Sequence, residues 1–138
     1  MKRCDDLGID NLKLIQDDEL FCFGTDSVLL ANFAKAKVSD TVVDFCSGNG
    51  IIPVLMTAKV KAKKFYALEL QECSFDLLKE NVTLNNLQDK IEPLHTDIKD
   101  VLLHFKSGSV DVITCNPPYM SADSVKIPTT PLPLQGTK

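Results

Sequence analysis

Short apolar segments and longer amphipathic segments alternate along most of the chain. Apolar, often β-branched residues mark four predicted strands, at residues 41–45, 65–70, 91–95 and 110–115. Apolar side chains at helical spacing between them predict helices at residues 50–60, 74–85 and 97–106. Strands that alternate with helices form βαβ units. The pattern therefore predicts an α/β fold with a mostly parallel sheet and helices on both faces.

The first forty residues have a different pattern. Two apolar segments, residues 13–16 and 20–23, are separated by a polar turn and predict a β-hairpin. A helix is predicted from Thr25, as its N-cap, to residue 37. We expect the apolar side chains of this helix to share one face, namely Leu29, Leu30, Phe33 and Ala34.

Periodicity ends after residue 121, where prolines interrupt any helix or central strand. The predicted organisation is a hairpin and helix at residues 1–40, an α/β core at 41–121 and an irregular tail at 122–138. The 138 residues, of which 44% are apolar and 25% charged, suffice for one compact domain of a soluble protein.

Composition and charge exclude several classes of protein. No apolar run approaches the roughly 20 residues of a membrane span, and the N-terminus turns acidic where a signal peptide is apolar. The five cysteines form no Cys-x-x-Cys pair, so we expect reduced thiols, no metal site and a cytoplasmic location. A net charge of −4 argues against a general polyanion binder. The densest basic cluster, at residues 59–64, is interpreted as a solvated helix end.

A small-residue turn follows the first core strand, in the sequence Asp44-Phe45-Cys46-Ser47-Gly48-Asn49-Gly50. Gly48 permits a tight turn, and Gly50 permits close approach of a ligand to the backbone. The helix that follows has unpaired N–H groups at its start, which suit a phosphate or a carboxylate. The third glycine of the dinucleotide fingerprint is absent, so a tight turn without a ligand remains an alternative.

Two acidic residues end the next two strands. Glu69 lies 21 residues after Gly48, which is the offset at which doubly wound folds bind ribose hydroxyls. A solvent-facing glutamate is the alternative interpretation. Asp97 ends the third strand, where capping of the next helix and contact with a ligand are equally compatible with the sequence.

The sequence Asn116-Pro117-Pro118-Tyr119 comes directly after the fourth strand. The two prolines restrict the backbone, so the Asn116 side chain and the Pro117 carbonyl can converge on one point. Together they provide acceptors for the two N–H bonds of a planar nitrogen. Tyr119 provides a face on which a base can stack.

These motifs resemble class I S-adenosylmethionine-dependent methyltransferases that act on a planar nitrogen. More narrowly, residues 14–16, 23–31 and 46–53 resemble the bacterial valine-tRNA (adenine-N6)-methyltransferase family, whose members modify an adenosine in the anticodon loop. The resemblance runs from about Asp6 to Tyr119. It implies a Rossmann-like fold, S-adenosylmethionine as cofactor, tRNA as partner, and neither metal nor membrane.

The resemblance also implies roles for individual residues. Cys46, Ser47, Gly48 and Gly50 would line the methionine part of the cofactor, with Glu69 at its ribose. The cofactor's adenine would lie at Asp97 and Ile98, and residues 116–119 would hold the target adenine as the catalytic motif. Thr25 and Asp26 would close the pocket. The implied cofactor site is therefore Thr25, Asp26, Asp44, Cys46, Ser47, Gly48, Asn49, Gly50, Glu69, Leu70, Asp97 and Ile98.

One departure from the family concerns length, because its chains continue well past the Asn-Pro-Pro-Tyr motif and this sequence ends at Lys138. We therefore expect missing C-terminal strands, weak or absent turnover, and an exposed edge at strand 110–115 that is open to self-association. Two alternatives remain. A protein glutamine methyltransferase suits the same motif, because the glutamine amide nitrogen is also planar. A cofactor-binding fragment without catalysis is the other.

Overall fold

The computed structural model describes residues 1–20 and 22–117. Pro118, Tyr119 and the predicted tail at residues 122–138 therefore lie outside the described residues. In chain order the elements are β1 (Lys2–Asp6), β2 (Lys13–Asp17), α1 (Thr25–Phe33), β3 (Thr41–Phe45), α2 (Ile51–Lys59), β4 (Lys64–Glu69), α3 (Glu72–Leu84), β5 (Ile91–His95), a 3₁₀ helix (Ile98–Leu103) and β6 (Val112–Cys115).

A four-stranded parallel sheet forms the centre of the molecule, in the order β5-β4-β3-β6. The connections through α2 and α3 step from β3 to β4 to β5, whereas the connection from β5 returns across the sheet to β6. Because such crossovers are right-handed, α2 and α3 cover one face and the 3₁₀ helix lies on the other. The predicted α/β fold with a mostly parallel sheet is confirmed.

The hydrophobic core lies between this sheet and the helices α2 and α3. Every residue of α2 from Ile51 to Met56 is buried, which explains why its apolar residues follow one another without a polar face. Leu78 and Val82 of α3 pack into the same cluster. None of the helices in the described part of the chain is both long enough and apolar enough to span a bilayer.

The predicted N-terminal hairpin exists, but one of its strands was assigned wrongly. β2 matches the prediction, yet it pairs in antiparallel fashion with β1 and not with residues 20–23, whose described members lie outside any strand. The sequence of β1, Lys-Arg-Cys-Asp-Asp, has no apolar alternation that marks a strand. The turn between the strands has a positive φ at Gly8, Asp10 and Asn11. Glycine, aspartate and asparagine tolerate a positive φ, so these three residue types close together are the sequence signal that could have located the turn.

The predictions for α1 are wrong in three details. Gly24 occupies the N-cap position and Thr25 is the first helical residue, and the helix ends at Phe33 and not at residue 37. The predicted apolar face is only half right: Leu30 and Ala34 pack against the core, but Leu29 is 63% exposed and Phe33 is 80% exposed. Ser27 and Ala31, four residues apart, form the buried face.

The fourth predicted helix is a short 3₁₀ helix and not an α-helix. Asp97 caps it, since its Oδ1 accepts a hydrogen bond from the Lys99 N–H at 3.1 Å. None of its six residues is buried, so burial does not extend it into a regular α-helix. Its connection to the sheet comes just after it, where the Phe105 ring meets the Tyr66 ring edge to face at 4.9 Å.

Candidate functional site

A cavity of about 280 Å³ opens at the carboxyl ends of the parallel strands. It lies where the strand order reverses: β4 and β5 follow β3 on one side, and β6 lies on the other side of β3. Ligands of open α/β sheets bind at this kind of topological switch point. Nine of the predicted site residues line the cavity, namely Cys46, Ser47, Gly48, Asn49, Glu69, Leu70, Asp97, Ile98 and Asn116.

The turn from β3 to α2 forms one wall of the cavity. Its backbone is left-handed at Cys46, Gly48 and Gly50, with φ values of 58°, 57° and 93°. A Cβ atom at Gly48 would meet no atom within 4 Å. A Cβ atom at Gly50 would lie 2.6 Å from Leu78 Cδ1, so in the structure the absence of a side chain at Gly50 makes room for the Leu78 side chain of α3 and not for a ligand. Gly50 does not line the cavity.

The Glu69 carboxylate is held at the end of β4 by two backbone groups. Its Oε1 accepts a hydrogen bond from the Gly48 N–H at 2.7 Å, and its Oε2 accepts one from the Gln71 N–H at 2.9 Å. A carboxylate has about four acceptor positions, so each oxygen retains a lone pair for a further donor. Gly48 and Glu69 are 21 residues apart in the sequence, and the hydrogen bond between them joins the glycine turn to the end of β4.

Asp44 is buried beneath the cavity and does not line it. Its Oδ2 accepts a hydrogen bond from the Ser47 hydroxyl and its Oδ1 one from the Thr114 hydroxyl, both at 2.7 Å. Burial raises the pKa of Asp44 to about 7, although these two hydrogen bonds act in the opposite direction. Asp44 therefore connects β3 to β6 and to the turn.

Asn49 belongs to the cavity wall and to the packing behind it. Its Oδ1 accepts a hydrogen bond from the Ile51 N–H at 3.3 Å, and its carbonyl accepts one from Asn81 Nδ2 at 2.9 Å. Its Nδ2 is buried and has no hydrogen-bond partner in the described part of the chain. Asn49 thus joins the turn to α3.

Asn116, the first residue after β6, lines the cavity opposite Glu69 and its loop. Its Nδ2 donates a hydrogen bond to the Ser27 hydroxyl oxygen at 2.8 Å, and Ser27 is almost fully buried. This bond joins α1 to the end of β6 and leaves Asn116 Oδ1 available as an acceptor. Pro117 is described but does not line the cavity, and the rest of the motif, Pro118 and Tyr119, lies outside the described residues.

Several lining residues were missed by sequence reasoning. They include Phe23, Ser27, Ile51, Ile52, Leu68, Gln71, Ser74 and Thr96. The signal for Ser27 is weak, because a serine four residues before Ala31 becomes notable only when that face of α1 is known to be buried. Thr25 and Asp26 are exposed and lie outside the lining, so their role in closing a pocket stays a prediction.

Cys46, in the cavity wall, and Cys115, which lies beside Cys46, are neutral thiols. Burial is the main cause that raises the pKa of Cys46, to about 12, and the nearby Cys115 adds to it. Burial also raises the pKa of Cys115. Neither group therefore supplies a thiolate nucleophile near neutral pH.

The charge of the cavity wall is negative. Glu69 and Asp97 are its ionisable carboxylates, and no lysine, arginine or histidine belongs to the lining formed by the described residues. Such a wall attracts a cationic ligand and repels a phosphate. Leu70 and Ile98, both exposed apolar residues, add an apolar patch beside the two acids.

This arrangement, a parallel sheet with a cavity at its switch point, is the Rossmann-like fold of methyltransferases. The methyltransferase domain of METTL16 superimposes with a TM-score of 0.63 over 78% of this chain and 47% of that one, at 24% identity. The TYW2 structure from P. horikoshii, solved in complex with MeSAdo, matches with a TM-score of 0.57 at 27% identity, over 66% of this chain and 35% of that one.

The chain belongs to the TRM5/TYW2 methyltransferase domain family, whose model matches residues 29–126. A tRNA1(Val) (adenine(37)-N6)-methyltransferase from Phocaeicola vulgatus is 33% identical over 106 residues, which are 76% of this chain and 43% of that protein. A ribosomal protein L11 methyltransferase from Carboxydothermus hydrogenoformans is 33% identical over 115 residues, 79% of this chain and 36% of that protein. The chain thus spans less than half the length of these relatives.

Proposed function

We propose that this chain forms the cofactor-binding part of an S-adenosylmethionine-dependent methyltransferase that modifies N6 of an adenosine in tRNA. The observation that carries the proposal is one cavity with Glu69, anchored to the Gly48 N–H at 2.7 Å, on one side and Asn116 on the other. The first supplies acceptors for a ribose, and the second supplies an acceptor for a reacting N–H group.

The charge of the cavity fits this cofactor. S-adenosylmethionine carries a sulfonium and an ammonium group, and Glu69 and Asp97 favour cations. Glu69 would accept hydrogen bonds from the ribose hydroxyls, while Leu70, Asp97 and Ile98 would enclose the adenine. The turn at residues 46–48 would lie along the methionine part. A nucleotide with phosphates would instead face two carboxylates.

The residues of this chain would bind and orient the target nitrogen. When bound, the cofactor supplies an electrophilic methyl group, and the target adenine supplies the N6 nucleophile. Asn116 Oδ1 and the Pro117 carbonyl would accept hydrogen bonds from the two N–H groups of N6. These hydrogen bonds favour a pyramidal nitrogen aimed at the methyl group. Tyr119 would stack on the base. Neutral Cys46 and Cys115 would take no part as nucleophiles.

The choice of tRNA and N6 rests on relatives. Proteins named tRNA1(Val) (adenine(37)-N6)-methyltransferase recur among them, for example in Bacteroides thetaiotaomicron at 31% identity over 106 residues, 76% of this chain and 43% of that protein. A release factor glutamine methyltransferase from Clostridium botulinum, 27% identical over 92 residues, 67% of this chain and 32% of that protein, supports the second candidate. An amide nitrogen would suit Asn116 equally well.

Two measurements test the proposal. Calorimetry with S-adenosylhomocysteine tests the cofactor, and we expect saturable binding that Glu69→Ala weakens at least tenfold. Transfer from radiolabelled S-adenosylmethionine to bulk tRNA or to a release-factor peptide then separates the two substrates. Weak labelling is expected for this chain, on tRNA and not on the peptide. Absence of binding at millimolar S-adenosylhomocysteine would refute the cofactor assignment, and labelling of the peptide alone would favour the glutamine substrate.

Self-association is part of the proposal because β6 forms an end of the described sheet. Ile113 of this strand is 56% exposed, and an exposed apolar edge favours pairing with another chain. Ile113→Lys should lower the apparent mass in analytical ultracentrifugation if two copies meet there. An unchanged sedimentation profile would contradict this contact.

A further inference from the structure

Four lysines lie together at the amino-terminal edge of the sheet, which is the edge opposite the cavity. Lys59 is in the last turn of α2, Lys61 and Lys63 are in the following loop, and Lys64 begins β4. The first three are exposed and Lys64 is half-buried. We name these four residues the lysine surface.

The helix dipole accounts for only one member of the lysine surface. Val60 is the C-cap of α2, so Lys59 is within the last turn and the other three lie beyond it. The dipole effect is confined to that turn. No acidic residue occurs between residues 59 and 68, and none of the four forms a salt bridge with a described side chain. Their charge is therefore available to a partner.

A groove adjoins the lysine surface. It has a volume of about 260 Å³ and lies between α3 and the starts of β4 and β5. Lys64, Lys79 and one carboxylate, Glu92, flank it, while Val82 and Ile91 provide buried apolar surface. A nucleobase or ribose fits such a groove while neighbouring ammonium groups contact phosphates.

The apolar residues of the segment point elsewhere. Val60 and Ala62, which alternate with the lysines, pack against the hydrophobic core. The lysine surface thus lacks the exposed apolar anchor that stable binding to a lipid surface adds to charge attraction. These observations favour an RNA backbone over a membrane.

We propose that the lysine surface binds the phosphodiester backbone of RNA. The cavity has a negative wall and cannot hold phosphates, so a nucleic-acid partner needs its cationic contacts elsewhere. The strands between the two edges are about 17 Å long, a distance that a few nucleotides cover. Because an RNA substrate is itself part of the proposed function, cofactor binding is measured separately.

The experiment compares two triple variants with the same change in net charge. Lys59→Gln, Lys61→Gln and Lys63→Gln remove exposed members of the lysine surface. Lys2→Gln, Lys13→Gln and Lys99→Gln form the control, because these exposed lysines lie on the hairpin and the 3₁₀ helix. Fluorescence anisotropy with a short labelled RNA hairpin is recorded over a salt series, with S-adenosylhomocysteine binding as the test of folding.

We expect the first variant to lose at least tenfold in RNA affinity. The slope of log K against log salt should fall by about two to three units, since each phosphate contact contributes about 0.7 on a single strand and about 0.9 on a duplex. The control variant should keep most of the RNA affinity and most of the salt slope of the parent protein. The two variants should bind S-adenosylhomocysteine as the parent does. Equal slopes for the two variants, no RNA binding at low salt, or binding only to phosphatidylserine vesicles would overturn the proposal. If the parent protein itself does not bind S-adenosylhomocysteine, the result refutes the proposed cofactor and not the RNA contact.

Discussion

At the residue scale, Asn81 connects three parts of the molecule. Its Oδ1 accepts a hydrogen bond from the Ile15 N–H at 2.7 Å, and its Nδ2 donates to the carbonyls of Ile15 and Asn49. The side chain is fully buried, so its removal leaves backbone groups without partners. Asn81→Ala should lower the free energy of unfolding by about 3 kcal/mol, as measured by urea denaturation.

Asn85 provides a matched control for Asn81. It makes the same pair of hydrogen bonds one turn later, to the N–H and carbonyl of Lys13 at 2.8 Å each. These groups are exposed, so water can replace the amide. Asn85→Ala should therefore cost only about 1 kcal/mol. Equal losses for the two variants would contradict the role of burial.

Asp44 should make the stability of the protein depend on pH. Its pKa is raised from 3.8 to about 7 in the folded state, chiefly by burial. The folded protein therefore keeps a proton that the unfolded chain releases, so the contribution of Asp44 to stability falls as pH rises from about 4 to 7. The full change is about 4 kcal/mol for a shift of this size.

Comparison with Asp44→Asn isolates this contribution. The variant cannot ionise, so the difference in unfolding free energy between parent and variant should decrease from pH 4 to pH 7 and then remain constant. Urea denaturation at several pH values measures it. Parallel curves for the two proteins would mean that Asp44 is ionised in the fold at all these pH values.

At the element scale, the two glycines of the turn from β3 to α2 should affect different properties: Gly50 mainly the stability of the fold, and Gly48 mainly ligand binding. Gly50→Ala should destabilise the protein by more than 2 kcal/mol, because φ is 93° and the new Cβ would lie 2.6 Å from Leu78. Gly48→Ala has only a strained φ of 57° and no close neighbour, so about 1 kcal/mol is expected.

Ligand binding should respond in the opposite order. The Gly48 backbone lines the cavity, so an added methyl group there should weaken S-adenosylhomocysteine binding at least tenfold. Folded Gly50→Ala protein should bind within a few-fold of the parent, because Gly50 is outside the lining. Thermal denaturation and calorimetry together check both halves, and an unchanged affinity for Gly48→Ala would contradict the assigned wall.

Elements with strong periodicity were predictable, and elements held by other forces were not. β5 was predicted with its observed bounds, Ile91–His95, although only Ile91 and Leu94 mark it, and its Pro93 is tolerated because β5 is an outer strand of the described sheet. β1 escaped detection since charged side chains cover a strand stabilised by its backbone ladder. The buried face of α1 depends on a tertiary hydrogen bond between Ser27 and Asn116, 89 residues apart, which no local pattern encodes.

At the scale of the whole molecule, chain order predicted more of the candidate site than individual side chains did. The predicted alternation of strands and helices gives a parallel sheet, in which β3, the first core strand, pairs with β6, the fourth. This pairing brings Asn116 to the cavity that contains Glu69. The depth of Asp44 and the absence of Thr25 from the wall depend on packing angles that sequence spacing does not specify.

The separation of charge across the molecule predicts how the cavity selects among adenosine derivatives. 5′-Methylthioadenosine and adenosine 5′-monophosphate share the nucleoside and differ in the 5′ group, which is neutral in the first and anionic in the second. Glu69 and Asp97 face the ligand without a basic residue in the described lining, so like-charge repulsion should weaken the phosphate compound at least tenfold.

Salt and a single substitution sharpen this last test. The preference should shrink as ionic strength rises, because the mouth of the cavity is open to screening ions. It should also shrink in Asp97→Asn, which removes one carboxylate charge but keeps an oxygen to accept the Lys99 N–H hydrogen bond. Competition calorimetry against S-adenosylhomocysteine measures both ligands in one format. Equal affinity for the two compounds at low salt would show that the wall does not select by charge and would contradict its preference for a cationic cofactor.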